Sequence, residues 1–75
     1  MPYIAIKAYP KDPAIQKRVV ERINQVFLEE WGCPPEAISI SMESISPELW
    51  EDTVVKTEIQ PKADLMMIIN GTKQY

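Results

Sequence analysis

Residues 37–45 read AISISMESI. Ile38, Ile40 and Met42 alternate with Ser39, Ser41 and Glu43. A period of two over this length belongs to a half-buried strand, with one face apolar and the other polar. What precedes this strand decides how it pairs. Gly32 and the Pro34-Pro35 pair stand just upstream. A glycine that can take a positive φ, followed by prolines that cannot continue a helix, marks a helix C-terminus. Before it, Ile15, Val19, Ile23, Val26, Phe27 and Trp31 recur at helical spacing and predict one apolar stripe. Lys17, Arg18, Glu21, Arg22 and Glu29 fall mostly on the other side. Asp12-Pro13 supplies the start, an N-cap acceptor followed by a proline in the first turn.

One step further out, residues 3–9 alternate again. Ile4, Ile6 and Ala8 face one way and Tyr3, Ala5, Lys7 and Tyr9 the other, until Pro10 ends the run. Strand, helix and strand in that order make a βαβ unit, whose strands should lie parallel with a right-handed crossover. The expected fold class is therefore α/β, one domain over residues 1–75, with two parallel strands and a crossover helix. Downstream, Ser46-Pro47-Glu48 starts a further helix carrying Leu49, Trp50, Val54 and Val55. Pro61 interrupts it. Residues 62–69 read equally as a short helix or a strand, and Asn70-Gly71 marks a turn.

Two strands and one crossover helix leave sheet edges open and one face uncovered. A 75-residue chain buries only about 60% of its unfolded surface. Cys33 is the single cysteine and there is no histidine. An intrachain disulfide is thus excluded, and so is a Cys/His zinc site within one chain. Pairing of two copies into a four-stranded sheet is the expected remedy, so we expect an obligate homodimer, with further assembly left open. A formal charge of −3 argues against general phosphate-backbone binding. No apolar run approaches the roughly 20 residues of a membrane span. The N-terminus lacks the pattern of a secretory signal, and a reduced, cytoplasmic setting is expected. Neither nucleic acid nor membrane is an expected partner.

The inventory for catalysis is thin. No histidine can serve as base, and two glycines, Gly32 and Gly71, make no phosphate loop. Cys33 has no histidine partner and reads as structural. Pro2 is the unusual position. It is either a strand residue that merely lacks an amide proton, or, once Met1 is removed, the bearer of a secondary amine. Ordinary α-amino groups titrate near ~7.7–8.0. An apolar pocket or a nearby cation lowers such a value toward neutrality. A base poised there suits abstraction of a proton next to a carbonyl.

In the stretches PYIAIKAYPKD, QKRVVERINQVF and ISISMESISPELW, the chain resembles the 4-oxalocrotonate tautomerase family. These are short βαβ proteins with a catalytic amino-terminal proline. The likeness runs over most of residues 2–59 and is greatest to the small dimeric subgroup that acts on phenylpyruvate-type enols. It implies a cofactor-independent keto–enol tautomerase acting on a small 2-oxo acid or its enol, with no metal. Pro2 matches the general base. Lys11 falls where the family commonly has an arginine that holds the substrate carboxylate; lysine keeps the charge and loses the bidentate fork. Ser39 falls at the family's second arginine, a departure that favours a monoacid with an apolar or aromatic tail. Trp50 falls at the apolar wall that keeps the pocket dry.

Each position has an ordinary reading as well. Lys11 would be an exposed loop lysine, Ser39 a polar strand residue and Trp50 a core aromatic. Two rival functions follow. Glu51 or Asp52, beside Trp50, could position water in a proline-dependent hydratase or dehalogenase of haloacrylates. Alternatively, the scaffold persists as a small oligomeric binding module without chemistry.

Overall fold

The computed structural model describes residues 1–75, which divide into two compact units, Met1–Ile45 and Ser46–Tyr75. The first is the βαβ unit. Strand β1 spans Tyr3–Ala8 and strand β2 spans Ser39–Ser44. They pair in parallel, with Tyr3 opposite Ser39, Ile6 opposite Met42 and Ala8 opposite Ser44. Helix α1, Pro13–Val26, connects them. The expected strand–helix–strand order and parallel pairing are what the chain adopts.

The ladder has a definite polarity. The Ser39 N–H donates to the Pro2 carbonyl at 3.2 Å, and the Ile45 N–H donates to the Ala8 carbonyl at 2.9 Å. In a parallel pair, the residues of one strand turn their backbone groups alternately toward and away from the partner. The even-numbered residues of β1 therefore bond to β2. The backbone groups of Tyr3 and Ala5 point to the other edge. Side chains alternate as well. Ile4, Ile6, Ile40 and Met42 are half-buried, whereas Tyr3, Ala5, Ser39 and Ser41 are exposed.

The ends of α1 are set by short-range chemistry. The Asp12 carboxylate accepts from the Ala14 N–H at 2.8 Å, and Pro13 occupies the first turn. Past Val26 the helix widens into a π-helical turn, Phe27–Trp31, which ends at Gly32 with φ 73°. That left-handed angle favours glycine, as the sequence predicts. The Phe27 and Trp31 rings stand 5.7 Å apart. The Cys33 thiol donates to the Phe27 carbonyl at 3.7 Å, a structural contact. The apolar stripe is less covered than its periodicity implies. Val26 is exposed, and Trp31 is 70% exposed, because nothing in a two-stranded unit lies beneath the last turn of this helix. Ile45, 7% exposed, is the one buried apolar side chain of the first unit.

The second unit opens with helix α2, Pro47–Trp50, which continues as a π-helix over Glu51–Ile59. Ser46 precedes it without a side-chain cap bond. The Gln60 N–H reaches back five residues to the Val55 carbonyl at 2.9 Å. The Thr57 hydroxyl donates to the Thr53 carbonyl, competing for an acceptor that a regular α-helix would give to an amide. Val54 is buried. Residues 62–69, ambiguous in sequence, become a single 3₁₀ turn, Ala63–Leu65, followed by strand β3, Ile68–Ile69. Strand β4, Thr72–Lys73, pairs with β3 antiparallel. Asn70 and Gly71, with φ 48° and 80°, form the connecting turn. Two successive positive φ values are what a tight two-residue hairpin turn needs. No helix is long and apolar enough to cross a membrane.

Candidate functional site

Two places in the βαβ unit carry Pro2, Ser39 and Lys11, and they lie at opposite ends of β1. At the start of the strand, Pro2 is half-buried and Met1 is 97% exposed. The bond from the Ser39 N–H to the Pro2 carbonyl fixes the proline against β2. Pro2 and Ser39 are thus brought together, through backbone atoms. The Ser39 side chain shares its face with Tyr3, its register partner, which is 72% exposed. That is the face away from Ile4 and Ile40, because side chains alternate along a strand.

At the other end, an open cavity of about 380 Å³ lies where β1 runs into α1. Ile6 and Ala8 come from β1, Met42 from β2, and Ile15, Gln16 and Val19 from α1. Tyr9, Pro10 and Lys11 of the connection complete it. Lys11 is the only charged residue in this lining. An apolar hollow with one cation at its edge suits a small monoanion that has an apolar body. The Gln16 amide donates from Nε2 to the Ser44 hydroxyl at 3.1 Å, tying α1 to the end of β2.

Pro2 and Lys11 do not meet within the chain. At roughly 3.3 Å per residue, Ala8 lies about 17 Å along the strand from Tyr3, and Lys11 follows beyond it. Trp50 is half-buried at the end of α2, in the second unit. Asp52, the candidate water-positioning carboxylate, is ion-paired with Lys56 at 3.2 Å on an exposed helix face, and Glu51 is exposed.

The sequence reading missed Ile6, Tyr9, Gln16 and Met42 as lining residues. Ile6 and Met42 are register partners. Fixing the register on the Pro2–Ser39 bond would have placed them side by side. Gln16 lies one helical turn after the Asp12 cap, on the boundary of the apolar stripe, where an amide gives no distinct signal.

No family model matches the chain. Two curated relatives do. One, named Tautomerase PptA, from Enterobacter sp. (strain 638), is 27% identical over 66 residues, covering 85% of this chain and 87% of that protein. The other bears the same name, from Escherichia coli (strain SMS-3-5 / SECEC), and is 29% identical over 69 residues, covering 89% of this chain and 91% of its own. Spans of this length exceed either unit, so the likeness takes in the βαβ part and extends into residues 46–75.

Proposed function

We propose that this chain, a relative of the tautomerases, is a cofactor-independent keto–enol tautomerase whose base is the amine of Pro2 after Met1 is removed. The exposure of Met1 leaves it open to excision. Until then the Pro2 nitrogen is a tertiary amide with no basic lone pair. Once freed, its secondary amine is held at the strand end by the backbone bond to Ser39. In the ketonising direction, the amine takes the enol proton, and the ammonium so formed delivers it to the adjacent carbon, which returns the amine to its free form. The substrate is a 2-oxo acid, or its enol, with an apolar or aromatic tail. Lys11 holds its carboxylate, and the Ser39 hydroxyl offers a hydrogen bond.

The observation that carries this reading is the placement of Pro2 and the Lys11 cavity at opposite ends of β1. One chain cannot bring both to a single small substrate; two can. The backbone groups of Tyr3 and Ala5 are turned to the edge away from β2. Antiparallel pairing of this edge with its copy would build a four-stranded sheet. It would also carry Pro2 of one chain to the end of β1 where the other chain keeps Lys11. The functional form is then a homodimer of one-domain chains, in the cytoplasm, sharing two equivalent sites.

The reading is tested by following ketonisation of phenylenolpyruvate with protein whose intact mass confirms loss of Met1, beside a Pro2→Ala variant. A clear rate that collapses in the variant supports it. Equal, near-background rates in both would remove the chemistry and favour a binding module.

A further inference from the structure

A second cavity, of about 290 Å³, lies beside the first turns of α1, lined by Pro13, Gln16, Lys17, Val20, Glu21 and Met42. It shares two residues, Gln16 and Met42, with the larger cavity at Lys11. A helix turns about 100° per residue, which puts Ile15 and Val19 to one side of Gln16 and Pro13, Lys17 and Val20 to the other. Helix α1 therefore sits astride Met42, with one cavity on each flank.

Gln16 and Met42 are the residues common to both walls. The helix side contributes the Gln16 amide, held by a single exposed hydrogen bond to Ser44. The sheet side contributes Met42, half-buried, unbranched and adaptable in shape. Both cavities are mainly apolar inside. The larger offers one charge, Lys11; the smaller places Lys17 and Glu21 among its lining, both exposed residues.

We propose that the second cavity is a subsite for the far end of long acyl tails, and that Gln16 and Met42 are the gate that sets tail length. The ligand class is the straight-chain monocarboxylate, its head at Lys11 and its tail directed past Ile6 and Ile15 to Met42. This rests on reading the Lys11 cavity as the place of the substrate carboxylate. Short tails end at the closed gate. Longer ones displace Met42 and release the Gln16–Ser44 bond. One exposed hydrogen bond holds the gate by about tenfold at most. Each further buried methylene gains about fourfold in binding. Two methylenes beyond the gate thus suffice to open it. Gln16 and Met42 act on specificity and take no part in proton transfer.

The test is calorimetric titration of the full chain with hexanoate and decanoate, which lack a 2-oxo group and cannot tautomerise. Gln16→Ala removes the latch, and Val20→Phe fills the second cavity from its lining. The expected result is that Gln16→Ala tightens decanoate about fivefold to tenfold and leaves hexanoate within about twofold. Val20→Phe should abolish the advantage of decanoate and spare hexanoate. Circular dichroism of each variant checks that the helix is intact. Parallel changes for both acids, or no binding of either at millimolar concentration, would overturn the proposal. Phenylenolpyruvate ketonisation that depends on Pro2, with no such discrimination, would remove the gate alone. Discrimination without Pro2-dependent ketonisation would remove the catalytic reading alone.

Discussion

The two ends of β1 are built on different principles. At the Pro2 end, position is set by the backbone: one ladder bond from Ser39 fixes the proline carbonyl, and the side chains around it are exposed. At the Lys11 end, position is set by packing: residues of two strands, a helix and a connection line an open cavity. The first end has a reactive group and no enclosure. The second has an open apolar hollow, a cation and no base. A strand about 17 Å long separates functions that a single small substrate must meet together. On the proposed mechanism, this separation would make assembly part of the chemistry.

The contrast breaks most sharply at the proline. Pro2→Ala should lower the ketonisation rate by about 10²–10⁴, the usual worth of a positioned general base. Because the Pro2 carbonyl remains, the Ser39 ladder bond survives, and thermal stability measured beside the rate should change little. Alanine leaves only a flexible primary amine at this position, so an unchanged rate would place the base elsewhere.

Ala5→Pro probes the strand edge that lies between the two ends. Its backbone groups face away from β2, so a proline there removes an edge donor without cutting the β1–β2 ladder. If β1 is the joint, sedimentation should show a dimer for the parent and a monomer for the variant, with activity falling in step. A folded, dimeric and active variant would mean that β1 is not the joint.

At the packed end, Lys11→Ala should raise KM about tenfold with a small change in kcat, as expected for a group that anchors the carboxylate in ground and transition states alike. Lys11→Arg should hold or improve binding by restoring a bidentate fork. A kcat effect without a KM effect would assign Lys11 another role. The smallest effect belongs to the cap that sets where α1 leaves the cavity. Asp12→Ala, losing the 2.8 Å bond to the Ala14 N–H, should cost about 1 kcal/mol. For a chain of this size that lowers the melting temperature by about 4–8 °C.

Much of this was legible in the residues, and unevenly so. The βαβ unit could be read because each element carries its own local signal: alternation at Ile38, Ile40 and Met42, the Asp12-Pro13 start, and a stop at Gly32 where φ is positive. Local signals do not report what a helix is covered by. Val26 and Trp31 sit at the right spacing and still face outward, since burial depends on a partner surface. The last residues resisted for a related reason. Strands of two residues, Ile68–Ile69 and Thr72–Lys73, are too short to show a period, and only Asn70-Gly71 signalled the hairpin. Among site residues, Pro2 stood out by chemistry alone. Lys11 and Ser39 could be named by position in a family pattern, but their separation along β1 could not. Tyr9, Gln16 and Met42 look like ordinary residues until register and helix placement put them around one cavity.

The shared-site account meets its most direct test in mixed dimers. Pro2→Ala chains, nearly inactive, and Lys11→Ala chains, reduced to about a tenth of parental activity at substrate concentrations well below KM, are mixed, unfolded and refolded together. In a two-fold dimer with sites built across the joint, every hybrid has one site with both residues intact, so the mixture should regain about a quarter of parental activity. Activity that stays at the sum of the two separate variants, with hybrid dimers confirmed by mass, would contradict a site made from Pro2 of one chain and Lys11 of the other.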